Sequence, residues 1–281
     1  MHNQLRGRSR RVARLCAVVV MAVAVAVARA QEPSEAALAQ LFRVELRRQF
    51  ASEEQLNTLL RKTYGVDLAP DKAEVARGAL RTLLADPAVP AYLAQVLRPT
   101  FRPERLNDDA TSVVLDGVVQ LQVRGLRRLP ASRQEQFLQH VVQTAQALPP
   151  EKCKAGYLGQ IPLREAVALE MRVAASLPLQ RFEAIIELYR DAMRAELAGS
   201  PPARTVTDEQ AALARRALQE ASARRVRAAL APAAVARFTD DGAASPADEF
   251  CALACAALQG VLDLPEPHKS WQLTRFVEGL Q

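Results

Sequence analysis

The sequence predicts an all-α protein, built as a multi-helix bundle or as stacked helical hairpins, that follows a cleaved N-terminal signal peptide. Three observations predict this class. Ala, Leu, Arg, Glu and Gln dominate, aromatic residues make up only 5%, and glycines number 11, a composition that favours helices. Helix-start signals recur along the chain, and apolar residues follow them at helical spacing. Strand-forming residues are concentrated only around residues 113–123.

Residues 1–30 have the layout of an export signal. A basic segment is followed by an apolar run from Leu15 to Ala28, which leads into the small-x-small triplet Ala28-Arg29-Ala30. The run is shorter than the roughly 20 residues of a spanning helix, so we predict cleavage near Gln31 and a periplasmic or secreted mature chain without a transmembrane segment. A retained membrane anchor is the alternative. Ser9-Arg10-Arg11 partly matches a twin-arginine signal, although the general secretory route fits better.

The net positive charge belongs to the predicted signal peptide. The chain has 37 Lys and Arg against 31 Asp and Glu. Six arginines and no acid lie in residues 1–30, so the mature chain has 31 basic and 31 acidic residues. This balance gives no support for a nucleic-acid partner, and we predict none.

Helix starts share one local chemistry, in which a Ser, Thr or Asp is followed three residues later by a Glu, Gln or Asp. Five such starts are Ser52, Asp71, Ser132, Thr207 and Ser245. Apolar stripes follow them or stand alone, and two examples are Leu38, Leu41, Phe42 and Leu46, and Phe182, Ile185, Ile186, Tyr189 and Met193. Short connectors at 149–150 and 176–178 predict antiparallel packing of neighbouring helices.

Residues 113–123 allow two interpretations. Asp116-Gly117 suits a tight hairpin turn, and Val119, Leu121 and Val123 alternate as in a strand. A helix that starts near Asp108 or Asp109 would instead place Val114, Val118, Leu121 and Gly125 on one face. We favour the helix, because a lone hairpin in a helical bundle has no sheet to join.

A turn-rich segment divides the mature chain. We predict an N-terminal helical domain at 31–199, a linker at 200–206 and a C-terminal helical subdomain at 207–281, since residues 199–204 are rich in Gly, Ser and Pro. The motif G-x-x-x-L-P occurs at Gly125 and again at Gly260, which gives weak support for repeated helical hairpins.

The mature chain contains three cysteines. Cys251 and Cys255 lie four residues apart on one helix, where they should face the core and are poorly placed to bridge each other. Because export favours disulfides, we predict a bond from Cys153 to Cys251 or Cys255. Buried inert thiols are one alternative, and a redox or metal site with His268 is another. We predict no metal and no other cofactor. The remaining histidine, His140, should be partly exposed or hydrogen-bonded.

Two charged groups invite a functional interpretation. Arginines crowd the helix after Thr207, at Arg215, Arg216, Arg224, Arg225 and Arg227. A solvated helix face is the simpler interpretation, and contact with an acidic partner, or peripheral contact with anionic lipid, is the alternative. Glu183, Glu187 and Asp191 recur every four residues among arginines, which predicts an ion-paired surface.

The sequence contains no recognised catalytic motif, neither G-x-S-x-G, S-x-x-K, H-E-x-x-H nor E-x-x-H. We therefore predict an exported helical protein that acts by binding or assembly rather than catalysis, with an unknown protein or an apolar ligand as partner. One alternative is a carrier that encloses an apolar small molecule or lipid, which an apolar cavity would favour. An enzyme with an unrecognised site is the other, and a polar cleft around His140, His268 or Glu183 would favour it.

Overall fold

The computed structural model describes residues 34–49, 52–98, 103–229, 231–241 and 244–280. This part of the chain forms thirteen α-helices and no strand, so the predicted all-α class is confirmed. In chain order the helices are α1 (Glu35–Gln49), α2 (Glu53–Tyr64), α3 (Pro70–Leu84), α4 (Ala88–Leu97), α5 (Pro103–Leu126), α6 (Ala131–Ala147), α7 (Pro150–Tyr157), α8 (Leu163–Ser176), α9 (Leu179–Ala198), α10 (Asp208–Ala229), α11 (Pro232–Asp241), α12 (Ala247–Leu262) and α13 (His268–Glu278).

The predicted signal peptide, residues 1–30, lies outside the described residues and stays a prediction. Among the helices that are described, none combines the length and the hydrophobicity needed to cross a membrane.

Two of the five predicted helix caps are confirmed. The Ser52 hydroxyl accepts a hydrogen bond from the Gln55 N–H at 3.2 Å at the start of α2. Before α10, the Thr207 hydroxyl accepts from the Gln210 N–H, and the Gln210 side chain accepts from the Thr207 N–H. This reciprocal pair satisfies two N–H groups that the helix leaves free at its first turn.

The caps predicted at Asp71, Ser132 and Ser245 are wrong, because proline starts these helices instead. Pro70 is the first residue of α3, and a proline directly precedes both α6 and α12. Proline has a backbone φ close to the helical value and lacks an N–H, so one donor fewer needs a partner at the helix start.

Residues 113–123 are helical and belong to α5, so the preference for a helix over a hairpin is confirmed. The helix begins at Pro103, several residues before the predicted start. Val114, Val118 and Leu121 are buried, and Leu121 has no exposed surface. Four-residue and three-residue spacings place these side chains on one face, which packs into the main core.

The most extensive contacts join helices that are distant in the chain, namely α10 with α12, α5 with α9, and α1 with α4. Neighbouring pairs such as α8 and α9 touch less extensively. Helices that are neighbours in the chain therefore share less contact than distant ones do, and a multi-helix bundle describes the fold better than stacked hairpins. The predicted stripe on α9 is buried along its whole length, whereas Leu41 of the α1 stripe is 41% exposed.

The two glycines of the repeated G-x-x-x-L-P motif are points of close helix approach. A β-carbon built at Gly125 would lie 1.9 Å from the carbonyl oxygen of Ala192 on α9, and one at Gly260 would lie 2.7 Å from the Ser222 hydroxyl on α10. Both distances are shorter than a van der Waals contact, so only glycine allows these helices to approach so closely.

The helices after residue 206 pack against the earlier part of the chain. α12 contacts α6 and α7, and α13 contacts α6. Leu138 and Val142 of α6 form a small apolar cluster with Val261 and Leu273 of these later helices. The proposed division into folding units at 31–199 and 207–281 stays a prediction.

Replacing Gly125 with alanine should destabilise the protein by about 3 kcal/mol, because the new methyl group meets the backbone of α9 rather than a flexible side chain. Gly78→Ala is the matched control. Gly78 lies inside α3, and no atom lies within 4 Å of the place that an alanine methyl group would take, so alanine there should raise stability by up to about 1 kcal/mol. Urea unfolding of both variants measures the difference, and equal stabilities would show that α5 and α9 are not in close contact at Gly125.

Candidate functional site

A cavity of about 420 Å³ lies between α6, α7, α8 and α13, and the end of α5 contributes to its wall. Apolar side chains supply most of the lining. They include Leu126, Phe137, Val141, Leu163, Val167 and Phe276. A concave, mostly apolar space of this size is typical of small-molecule sites in proteins.

Exposed residues of α7 and of the turn that follows it form the mouth of the cavity. Lys152, Gly156, Tyr157 and Gly159 line the cavity and are exposed to solvent. Gly159 has a φ of 67°, a left-handed conformation that glycine adopts without strain, and it turns the chain from α7 towards α8. The Lys152 ammonium lies 3.2 Å from a Glu165 carboxylate oxygen, so an ion pair joins α7 to α8.

Glu170 of α8 is the acidic side chain in the described lining. The residue is 8% exposed, and the Tyr189 hydroxyl of α9 donates a hydrogen bond to its Oε1 atom. Burial raises the pKa of Glu170 to about 7, against the opposing effect of the Tyr189 hydrogen bond. Glu170 therefore keeps its proton at pH values where an ordinary glutamate is ionised. Burial and the neighbouring carboxyl group also hold the pKa of Tyr189 well above its ordinary value.

His140 of α6 lies beside this carboxyl group. Its Nε2 atom is 3.4 Å from Glu170 Oε1, the residue is 3% exposed, and neither ring nitrogen has a hydrogen-bond partner in the described part of the chain. Burial, with a smaller contribution from Arg181, lowers the pKa of His140 to about 4, so the ring is neutral at pH 7. The prediction of a partly exposed or hydrogen-bonded histidine is wrong, because α6 turns this position towards α8. We call Glu170, Tyr189 and His140 the Glu170 cluster.

The predicted disulfide is confirmed, and its partner is Cys251. Cys153 of α7 bonds to Cys251 of α12, with Cα atoms 5.9 Å apart. Cys153 also lines the cavity, so the disulfide fixes α7 in position as one wall of the cavity. Cys255 is free and buried, and burial raises the pKa of its thiol.

The three sulfur atoms lie within 4.8 Å of one another. Because Cys153 and Cys251 are bonded to each other, the group does not offer three thiolate ligands. His268, the fourth ligand of the metal alternative, is not part of this group and instead contacts the Trp271 ring. The prediction that the protein uses no metal stays a prediction.

The charged groups singled out from the sequence lie outside the cavity. The five arginines of α10 (Arg215, Arg216, Arg224, Arg225 and Arg227) are exposed, and Arg225 forms hydrogen bonds of 2.5 and 2.7 Å with Asp263. Their contact with an acidic partner or anionic lipid stays a prediction. In the predicted ion-paired row, Glu187 pairs with Arg190 and Asp191 with Arg133.

Sequence reasoning missed Glu170, although a signal was present. Val167, Met171 and Ala174 are buried, and their spacing on α8 forms an apolar stripe that includes position 170. A carboxyl group on such a stripe must be buried in the folded protein. The stripe predicts that the Glu170 carboxyl group is buried, but only the fold shows that Tyr189 and His140 lie next to it.

The Glu170 cluster should give opposite pH dependences of stability in two variants. Folded Glu170 holds a proton between its ordinary pKa of 4.5 and about 7, so its contribution to stability falls as pH rises through this range. Folded His140 releases its proton at about pH 4 instead of 6.5, so its contribution rises over that interval. The two effects largely cancel in the wild type. Burial raises the pKa values of Tyr189 and Tyr64, so neither phenol ionises between pH 4 and 7.

Glu170→Gln should therefore become more stable from pH 4 to 6.5, and His140→Gln should become less stable from pH 4.5 to 7, each by about 3 kcal/mol. Urea unfolding at several pH values measures both slopes, and subtracting the wild-type profile removes the contribution of every other group. Variants that keep the wild-type slope would show that these two side chains are not buried together.

Comparison with known proteins gives no match to a protein family, a curated protein or a solved structure. A function for this chain must therefore be argued from the chemistry of the cavity, the Glu170 cluster and the disulfide that holds α7 in place.

Proposed function

We propose that this protein is an exported binding protein that encloses an apolar small molecule in the cavity between α6, α7, α8 and α13. The cavity, open at α7 and lined mainly by apolar side chains, is the observation that carries this proposal. Export rests on the signal-like residues 1–30. Of the sequence-based alternatives, the carrier fits this cavity best.

Ligand binding in the cavity would bury apolar surface on both partners. Each square ångström of apolar surface removed from water contributes roughly 25 cal/mol. Phe137, Val167 and Phe276 supply such surface from three different helices, so a ligand would contact α6, α8 and α13 together. The volume of about 420 Å³ is enough for a small molecule and too small for a folded partner.

The lining supports binding better than catalysis. Glu170 is the one acidic side chain of the described lining, and its neighbour His140 is not part of that lining, so a bound molecule would meet neither a second carboxylate nor a free thiol there. Acid–base or nucleophilic catalysis usually needs at least two cooperating groups around the reacting atoms. A single buried carboxyl group can still orient a ligand.

Filling the cavity tests the proposal. N-phenyl-1-naphthylamine is an uncharged probe whose fluorescence rises in apolar surroundings, and we expect saturable binding of one probe per chain. Ala166→Phe places a large ring in the cavity wall and should weaken binding at least about tenfold, which corresponds to about 1.4 kcal/mol. Ala212→Phe adds the same ring at an exposed position of α10, a helix outside the described lining, and should leave binding unchanged.

Circular dichroism of each variant establishes that it is folded before binding is measured. The proposal is overturned if the wild type shows no saturable binding. It is also overturned if folded Ala166→Phe and folded Ala212→Phe bind the probe equally well, because the probe would then occupy another surface.

A further inference from the structure

We infer that the cavity selects apolar ligands that end in an uncharged hydroxyl group, and that Glu170 forms hydrogen bonds with this group at the inner end of the cavity. The inference rests on the proposed binding function and adds the chemical class of the ligand. Long-chain and cyclic alcohols share this chemistry, with one apolar body and one group that both donates and accepts a hydrogen bond.

Glu170 has unused hydrogen-bonding capacity. Its carboxyl group lines the cavity, and the Tyr189 hydroxyl donates to Oε1, while no described residue forms a hydrogen bond with the second oxygen. A carboxyl group can take part in several hydrogen bonds. Buried polar groups in folded proteins are nearly always paired, and two buried atoms of the same lining, Gln122 Oε1 and the Thr144 hydroxyl, have no partner in the described chain, so a polar group that enters the cavity would satisfy them.

Other polar atoms near Glu170 also have no partner within the described chain. The Thr144 hydroxyl is buried and lines the same cavity, and both ring nitrogens of His140 are unpaired. Thr144 lies one helical turn after His140 on α6, so the two side chains lie on the same side of the helix. His140 does not line the cavity, so of these two side chains Thr144 is the one that a ligand hydroxyl would reach.

The charges around the cavity argue against a charged ligand end. An anionic end would lie beside the Glu170 carboxyl group, with no described Lys or Arg in the inner lining. Lys152 lies at the exposed mouth and is already paired with Glu165. An ammonium end would require a fully ionised Glu170, and the cost of removing both charges from water offsets most of their attraction. An uncharged end avoids both the repulsion between two carboxylates and the cost of burying a pair of charges.

Displacement of N-phenyl-1-naphthylamine by three ligands of equal chain length tests the inference. We expect 1-octanol to displace the probe at a concentration at least about tenfold lower than octanoate or octylammonium at pH 7. Stronger displacement by octanoate would place the polar end at Lys152 instead, and stronger displacement by octylammonium would mean an ion pair with Glu170. Either result overturns the inference.

Two variants separate the role of Glu170 from general apolar binding. Glu170→Leu with Tyr189→Phe removes the carboxyl group and the hydroxyl that donates to it, so that no tyrosine hydroxyl is left unpaired. This double variant should bind 1-octanol at least about tenfold more weakly than the wild type does, and its affinity for the probe is measured first so that displacement is compared at equal occupancy. Glu170→Gln retains hydrogen-bonding capacity and should keep the wild-type affinity for 1-octanol.

The outcomes also distinguish the proposed binding function from the assignment of Glu170 to a ligand hydroxyl group. If the probe does not bind to the wild type, the proposed function fails. If the probe binds but 1-octanol has no advantage over the two charged ligands, or if the folded double variant binds 1-octanol as tightly as the wild type does, binding stands and the assignment of Glu170 to a hydroxyl group fails. A bound water molecule that alone satisfied Glu170 would give this second result.

Discussion

The hydrogen bond from Tyr189 to Glu170 is the interaction on which the inner part of the structure depends. It joins α9 to α8 at a buried position, and His140 of α6 lies against the same carboxyl oxygen. A carboxyl group without partners would be costly at this depth, so the Tyr189 hydroxyl stabilises the Glu170 carboxyl group. It donates to Oε1 and leaves the second carboxyl oxygen available to a ligand. The shape and the polarity of the inner cavity follow from this arrangement.

The mouth of the cavity depends on a different constraint. α7 has only eight residues, too few for a helix to be stable alone, and it is held by the disulfide from Cys153 to Cys251 and by packing against α12. The Lys154 ammonium adds a hydrogen bond of 2.7 Å to the Ser245 carbonyl oxygen. The C-terminal helices thus help to form the cavity in two ways, because Leu258 and Phe276 line it and α12 holds α7 in position.

The main core of the fold lies next to the cavity, since Leu126, Phe137 and Tyr189 belong to both. Gly125 allows α5 to approach α9 closely, and Leu121 and Phe182 are fully buried in the same core. Tyr189 projects from the helix that this core holds. A tightly packed core behind Tyr189 keeps the hydroxyl group aimed at Glu170, which is the condition for a site with a defined geometry.

Much of the fold could be predicted from the sequence. Composition and the apolar stripe on α9 indicated helices, and the predicted export together with the spacing of Cys251 and Cys255 indicated a disulfide to Cys153. Helix pairing could not be predicted, because short connectors do not determine which distant helices share a core. The site was missed for the same reason: Glu170, Tyr189 and His140 lie on three helices, and no local motif links them.

Carbon-13 NMR of the Glu170 side-chain carboxyl group, recorded in the folded protein with and without 1-octanol, tests the account most directly. Glu170→Gln assigns the resonance by its loss. We expect the chemical shift of a protonated carboxyl group at pH 5.5, where an ordinary glutamate is ionised, and a change in that shift when 1-octanol binds. A resonance that is already ionised at pH 5.5 and does not respond to 1-octanol would contradict both the buried acid and its role in the cavity.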